Sequence, residues 1–350
     1  MKLNSSIITV LLAALLVCGA TSAQAQKSEG KGTGRGEGAG QGKGRGEATA
    51  AKSGGPSVVN ITVTESVNVT LATGAGKISV RGWDKSELRA QAKGSDSKIE
   101  LRKVAAPKVV GGDASNPAAR VEILVSDKSD DDESDDEACY TDSDVTLDVP
   151  RGATVYLKTQ DGDVDVEDVT EAHIETAGGR IELRRISKAT DATSVGGDMS
   201  LEDASGRARL NSIGGVIGIR DFRPLDASDF LKLKSVSGDI LLDRVGSARV
   251  EANTISGVVK MIGSLVRGGI YSFTTTIGDI TLVLPADSSF KLSAKVSEGG
   301  EIITEFPLKY KGPASPVSLL QAGRLIGTYG SGDSTIYMVS FSGTLRLRKK

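Results

Sequence analysis

The stretch Thr176-Ala177-Gly178-Gly179-Arg180-Ile181-Glu182-Leu183 returns as Ser194-Val195-Gly196-Gly197-Asp198-Met199-Ser200-Leu201, and again as Ser212-Ile213-Gly214-Gly215-Val216-Ile217-Gly218-Ile219. Written Ser/Thr-x-x-Gly-x-apolar-x-apolar, the pattern also starts at Thr73, Thr159, Ser235, Thr254, Thr275 and Ser340, with glycines at Gly76, Gly162, Gly238, Gly257, Gly278 and Gly343. A degraded copy starts at Ser297, with Gly300 and with Thr304 in the last apolar slot. Self-similarity of this kind is the mark of a repeat architecture. Each copy has a second half after a short turn, another alternating run such as Ala172-His173-Ile174-Glu175, Leu231-Lys232-Leu233 or Ile270-Tyr271-Ser272-Phe273. One unit therefore reads strand, turn, strand, turn.

The residue types assign the roles within a unit. The paired apolar residues alternate with one residue between them, the period of a strand with one buried face. The intervening residue faces outward and is polar at Asp165, Glu182, Ser200, Lys260, Thr281 and Arg346, with Leu241 the exception. The glycine is needed where the chain turns with positive φ, or where neighbouring backbones come close. The hydroxyl three residues earlier can bond the turn's own backbone and stack on its equivalent in the next unit. A single unit holds too few apolar side chains to offset its chain entropy, so the copies must fold as one stack. The expected fold is all-β, a β-solenoid (β-helix or roll-like) of stacked two-strand repeats over residues 57–350, the alternative being a two-sheet β-sandwich. Its ends need covers against edge pairing. The strands of 57–72 and the segment 305–350 are the candidate caps. Val121 to Val125 and Val145 to Val149 read as a strand pair, joined by an acidic loop insertion at 127–144.

Upstream of the repeats the chain changes character. Lys2, the apolar run Ile7 to Val17 and Ala23-Gln24-Ala25 form a signal peptide over 1–25, with cleavage expected before Gln26. Val17 stands where a lipid-modification site at Cys18 would want a small residue, which argues against a lipid anchor. Residues 26–56 alternate glycine with Lys, Arg, Glu and Ala, and nothing there can form a core, so they read as a disordered linker. A phosphate-binding glycine loop would have to follow a strand and open a helix, and neither is present. Without the leader no apolar run is long enough to be a transmembrane span. The expected location is the periplasm, the cell surface or the extracellular space.

Catalytic and ligand-binding constellations are sparse. His173 is the only histidine and alternates outward, so a histidine-based triad or His-rich metal site is not available. Cys139, the one cysteine outside the leader, is crowded by carboxylates that would raise its pKa and blunt it. Asp163, Asp198, Asp239 and Asp279 share the position after the repeat glycine, where in-register carboxylates could line an edge as in carbohydrate-active β-helix lyases and hydrolases. Lys77, Arg180, Val216 and Val258 break that row. Asp130, Asp131, Asp132, Asp135 and Asp136 make the loop oxygen-rich, which suits a hard cation, but the sixth-position glycine of an EF-hand is missing. The formal net charge of -2 and the pI of about 5.7 give no reason to expect nucleic acid as a partner. No cofactor is expected.

Three segments together resemble a bacterial family of adhesin-like proteins of unknown function. They are Ile78-Ser79-Val80-Arg81-Gly82-Trp83-Asp84; Val145 to Ala153 leading into Thr159-Gln160-Asp161-Gly162-Asp163-Val164; and the ending Ser340-Phe341-Ser342-Gly343-Thr344-Leu345-Arg346-Leu347. The resemblance covers roughly 60–350 and implies an exported, all-β envelope protein with no family catalytic residues to carry over. The function expected is surface binding to an envelope glycan or protein without catalysis. The alternatives are a carbohydrate-active β-helix enzyme and a structural or stress-linked envelope protein without ligand.

Overall fold

The computed structural model describes residues 58–93, 97–103, 117–127, 142–310 and 323–350, and every helix or strand element among them is a strand. The leader, the linker, Cys139 and the five loop aspartates lie outside the described residues. The N-terminal portion holds β1 (Val58–Thr73), β2 (Ile78–Trp83), β3 (Glu87–Lys93), β4 (Ser97–Lys103), β5 (Ala118–Asp127) and β6 (Asp144–Pro150). Then come β7 (Thr154–Thr159), β8 (Val164–Glu167), β9 (Glu171–Thr176), β10 (Ile181–Arg184), β11 (Ala189–Ser194), β12 (Met199–Glu202) and β13 (Arg207–Ser212). They are followed by β14 (Ile217–Arg220), β15 (Leu231–Lys234), β16 (Ile240–Asp243), β17 (Arg249–Asn253), β18 (Val259–Ile262), β19 (Ile270–Ile277) and β20 (Ile280–Leu284). The chain closes with β21 (Phe290–Val296), β22 (Ile302–Thr304), β23 (Arg324–Tyr329), β24 (Ser334–Ser342) and β25 (Leu345–Lys349).

From β7 to β20 the odd-numbered strands pair parallel in one sheet, here sheet B, and the even-numbered strands pair parallel in the other, sheet A. One rung is an odd strand, a glycine turn, an even strand, and a charged corner leading to the next rung. Buried pairs such as Ile181 and Leu183 of sheet A and Ala172 and Ile174 of sheet B belong to one continuous core. The fold is a β-solenoid flattened into two sheets. Parallel strands covered on one face by the opposing sheet and wet on the other keep the alternation seen in the sequence.

The ends are threaded out of chain order. β1 lies between β5 and β7, and β2 between β6 and β8, so the second rung made by the chain sits outside the first. At the far end β24 lies between β19 and β21, and β25 between β20 and β22. The last rung of the chain is thus inserted beneath an earlier one. Antiparallel strands finish each end, with β4 against β5, β3 between β6 and the first half of β1, and β23 against β21.

Three expectations change accordingly. β5 and β6 do not pair with each other; they form one rung, one strand in each sheet. Residues 57–72 cap only through Val58–Thr62, because the remainder of β1 is an interior strand. Within 305–350 the covering elements are β23 with buried Phe306 and Leu308, whereas β24 and β25 are interior. Phe306 meets Phe290 edge-on at 5.2 Å and Tyr329 at 4.9 Å, an aromatic plug over the open end of the core.

Candidate functional site

The glycine turns align into one column. A Cβ placed on Gly162 would run into the carbonyl of Gly76, one on Gly179 into that of Gly162, and so on through Gly197, Gly215, Gly238, Gly257 and Gly278. Gly343 meets Gly278 and Gly300 meets Gly343, so the column follows the threaded order of rungs and not the order of the chain. Close backbone approach is the requirement common to the column; Gly76, Gly179, Gly278 and Gly343 have positive φ as well, +87°, +60°, +153° and +158°. The hydroxyls lock the turns. Ser194, Ser212 and Ser235 each accept the N–H of the glycine three residues on, at 3.0, 2.9 and 2.8 Å. Thr254, Thr275 and Ser340 instead donate to the glycine carbonyl of the adjoining rung, at 3.2, 3.3 and 3.2 Å. In the degraded copy Val296, not Ser297, pairs with Ser340, because that turn is longer by one residue.

The broken row of aspartates is a structural device. Asp163 accepts the backbone N–H of Arg180 at 2.7 Å, Asp198 that of Val216 at 2.8 Å, Asp239 that of Val258 at 2.8 Å and Asp279 that of Thr344 at 2.8 Å. Asp144 does the same for Lys77 at 2.9 Å. In stacking order aspartate and non-aspartate alternate, so each carboxylate serves the rung beside it. Carboxylates so alike in their partners do not provide the divided environments an acid and a base require.

The opposite corner is built from charge. Asp168, Arg185, Asp203, Asp221 and Arg244 all have positive φ, between 51° and 61°, and each is followed by a buried apolar residue: Val169, Ile186, Ala204, Phe222, Val245. This second motif, visible in Glu167-Asp168-Val169 or Arg220-Asp221-Phe222, escaped the reading of the sequence because its turn residue is not glycine. Beside it on sheet A runs a row of alternating sign, Arg81, Glu167, Arg184, Glu202, Arg220 and Asp243, in direct register. Contacts include Arg81–Glu167 at 2.8 Å and Arg220–Glu202 at 3.1 Å. Arg185 grips Asp168 with two bonds of 2.9 and 2.8 Å. The Arg81 hydrogen bond holds the Glu167 carboxyl below its usual range despite some burial, and Arg185 does the same for Asp168. Arg185 and Arg244 are raised in turn, chiefly by Asp168 and Asp221.

Sheet B presents a different outer face. His173 points outward, its ring stacked on Tyr156 with centroids 4.7 Å apart and planes 8° from parallel. Around them Glu171 pairs with Lys188 at 2.6 Å and Glu175 with Lys158 at 3.7 Å. Further along, Arg207, Arg209, Lys232, Lys234 and Arg249 face solvent on β13, β15 and β17. Beyond them Tyr337, Val339 and Phe341 lie exposed on β24.

Concave space is slight. A depression of about 490 Å³ lies at Gly74, Asp142, Gln160, Asp161 and Gly178. One of about 230 Å³ lies on sheet A at Arg81, Asp148, Asp165, Glu167 and Arg184. In the second, Asp165 is paired with Lys77 and Glu167 with Arg81 and Arg185. Among the described residues no His, Cys, Asp or Glu cluster could hold a metal ion, and no helix is long and apolar enough to cross a membrane.

The family model for Toastrack DUF4097, a domain of unknown function, matches residues 59–347. Among curated proteins nothing matches. One solved structure similar to the chain is that of a putative cell adhesion protein from Clostridium sporogenes, 10% identical over 85% of this chain and 100% of the other, with a TM-score of 0.23.

Proposed function

The chain belongs to the Toastrack DUF4097 family, and we propose that it is an exported, adhesin-like protein of the cell envelope or extracellular space that binds a glycan or protein partner through its outer faces, without catalysis. The observation that carries this reading is the division of labour among the polar side chains. The carboxylates best placed for chemistry, Asp198 and Asp239, are hydrogen-bonded to neighbouring backbone amides, and of the two depressions the one on sheet A is lined by paired charges. What the molecule offers is extended: rigid flat faces whose outward residues repeat at the rung spacing of about 4.8 Å. Export is proposed on the leader-like sequence of residues 1–25.

The test is incubation of the purified protein with panels of bacterial and plant polysaccharides and with envelope proteins, measuring retention and product formation together. Retention without new reducing ends or unsaturated products is the expected result. Product formation abolished by Asp198→Ala or Asp239→Ala in a folded protein would replace the reading with that of an enzyme. Panels that stay blank would leave a ligand-free structural protein. Cell fractionation, with N-terminal sequencing for a start at Gln26, tests export.

A further inference from the structure

We infer that the outer face of sheet B from β13 onward is a binding surface for a carboxylate-bearing polysaccharide; this deepens the surface-binding reading above and rests on it. The argument is the contrast between the two faces. In the sheet A row beside the charged corner neighbouring rungs alternate in sign, so each charge of that row has an opposite neighbour about 4.8 Å away. On sheet B the register places Arg209 beside Lys232 and Asn211 beside Lys234, with Arg207 and Arg249 at the ends of their strands. Against these cations the outward positions of β13, β15 and β17 supply one carboxylate, Glu251. Lys232 pairs with Glu251 at 3.0 Å, and Arg209 reaches back to Asp191 on β11 at 3.3 Å. Arg207, Lys234 and Arg249 make no ion pair among the described residues. Of the like charges on adjacent strands, Arg209 and Lys232 are each met by a carboxylate of the sheet; the exposed heads of Arg207, Lys234 and Arg249 are the ones left for an anionic ligand to pair with.

The rest of the face fits a sugar polymer. Asn211, Asn253, Ser272 and Thr274 stand between and beyond the cations as neutral donors and acceptors of the kind that sugar hydroxyls pair with. Exposed Tyr337 and Phe341 on β24 add ring surface, and Lys291 and Lys295 on β21 resume the positive charge past them. A nucleic acid fits less well, since the strands that carry the cations, β13, β15 and β17, hold no aromatic side chain on which bases could stack. A bilayer fits less well because the apolar side chains lie within flat strands rather than on a helix that could enter it.

The experiment measures binding of the full chain to polygalacturonate, with neutral dextran, single-stranded DNA and phosphatidylglycerol vesicles in parallel. A triple variant, Arg207→Glu with Lys234→Glu and Arg249→Glu, is compared with Lys260→Glu on the opposite sheet. All four side chains are exposed, so unchanged circular dichroism and thermal midpoint are expected and serve as the folding control. The inference expects polygalacturonate retention that falls with salt, weakens roughly tenfold or more in the triple variant and is untouched by Lys260→Glu. Preference for DNA or vesicles overturns it. Binding to a neutral glycan or a protein that survives the triple variant also overturns it, while leaving the surface-binding reading intact.

Discussion

In the central array, from β7 to β20, each rung lies on the one the chain made just before it; at both ends a rung made elsewhere in the chain is slipped between. The contacts are nevertheless of one kind throughout. Gly343 stacks on Gly278 as Gly278 stacks on Gly257, and Asp279 caps Thr344 as Asp239 caps Val258. A rung therefore recognises the shape of its neighbour and not its place in the chain. The difference between centre and ends lies in connectivity, and connectivity governs how the array opens.

The largest effect expected tests the shared contact. In Gly215→Ala the new methyl meets the Gly197 carbonyl at a separation no Cβ tolerates. We expect a loss of about 3 kcal/mol or more, or failure to fold. At Gly214, one residue away, the nearest atom to a Cβ is the Val195 carbonyl oxygen at 3.5 Å, and Gly214→Ala should stay within about 1 kcal/mol. Thermal unfolding of the two variants gives the comparison; equal midpoints would remove close approach as the reason for the glycines. Gly343→Ala should match Gly278→Ala, whose glycine has nearly the same φ (+153° against +158°) and the same carbonyl clash, if the inserted rung is held as tightly as a central one.

Hydrogen exchange sharpens the contrast between centre and ends. Chain termini ordinarily fray, yet β24 and β25 carry a parallel neighbour on either side. Their amides should exchange as slowly as those of β19 and β20, and more slowly than those of β22, a three-residue edge strand. Rapid exchange confined to β24 and β25 would mean that the insertion opens independently of the array.

How much of this was legible in the sequence follows from what the periodicity encodes. The glycine, the hydroxyl and the inward apolar pair recur at fixed offsets, and they locate the two-strand rung and the all-β stack. The charged corner was equally periodic, but Asp168, Arg185 and Asp203 look like ordinary surface charge until their positive φ is known. The aspartates after the glycines looked like a defective row because alternation of Asp with other residues makes sense only once stacking order is given. The threading of the ends was not legible at all. Rungs with the same profile can neighbour one another in any order, so nothing local marks β25 as belonging next to β20. The basic stripe on sheet B escaped for the same reason: Arg209 and Lys232 are distant in sequence and meet only through register.

A smaller effect separates an ordinary capping aspartate from the one at the insertion. Asp239→Ala leaves the Val258 N–H without its side-chain acceptor and should cost about 1 kcal/mol. Asp279→Ala should cost somewhat more, because Asp279 also receives Arg346, whereas the Asn variants, which keep an acceptor oxygen, should recover part of each loss. Burial of Asp279 opposes its charge, yet the Thr344 N–H and Arg346 hold its carboxyl below the usual range. Equal losses at the two sites, with no recovery by Asn, would argue that the carboxylates act through packing alone.

The smallest effect is electrostatic and belongs to the charged corner. Glu167 and Asp168 titrate below their ordinary values in the folded protein, through Arg81 and Arg185. A carboxyl depressed on folding contributes stability above its unfolded pKa, near 4, and that contribution is lost as pH falls through the lower folded value. Stability should therefore decline on acidification from about pH 5 downward, and Arg185→Gln should make that decline shallower while lowering stability at neutral pH by about 0.5 kcal/mol, the scale of an exposed ion pair. Because Arg185 holds a positive φ, Arg185→Gly is the companion variant: it removes the same ion pairs but relieves the backbone. If Gly is less destabilising than Gln, the corner is shaped by its backbone and the charges are secondary. If Gln and Gly fall together and both losses vanish in high salt, the ion pairs hold the turn, and the sheet A ladder is the part of the array that acid loosens first.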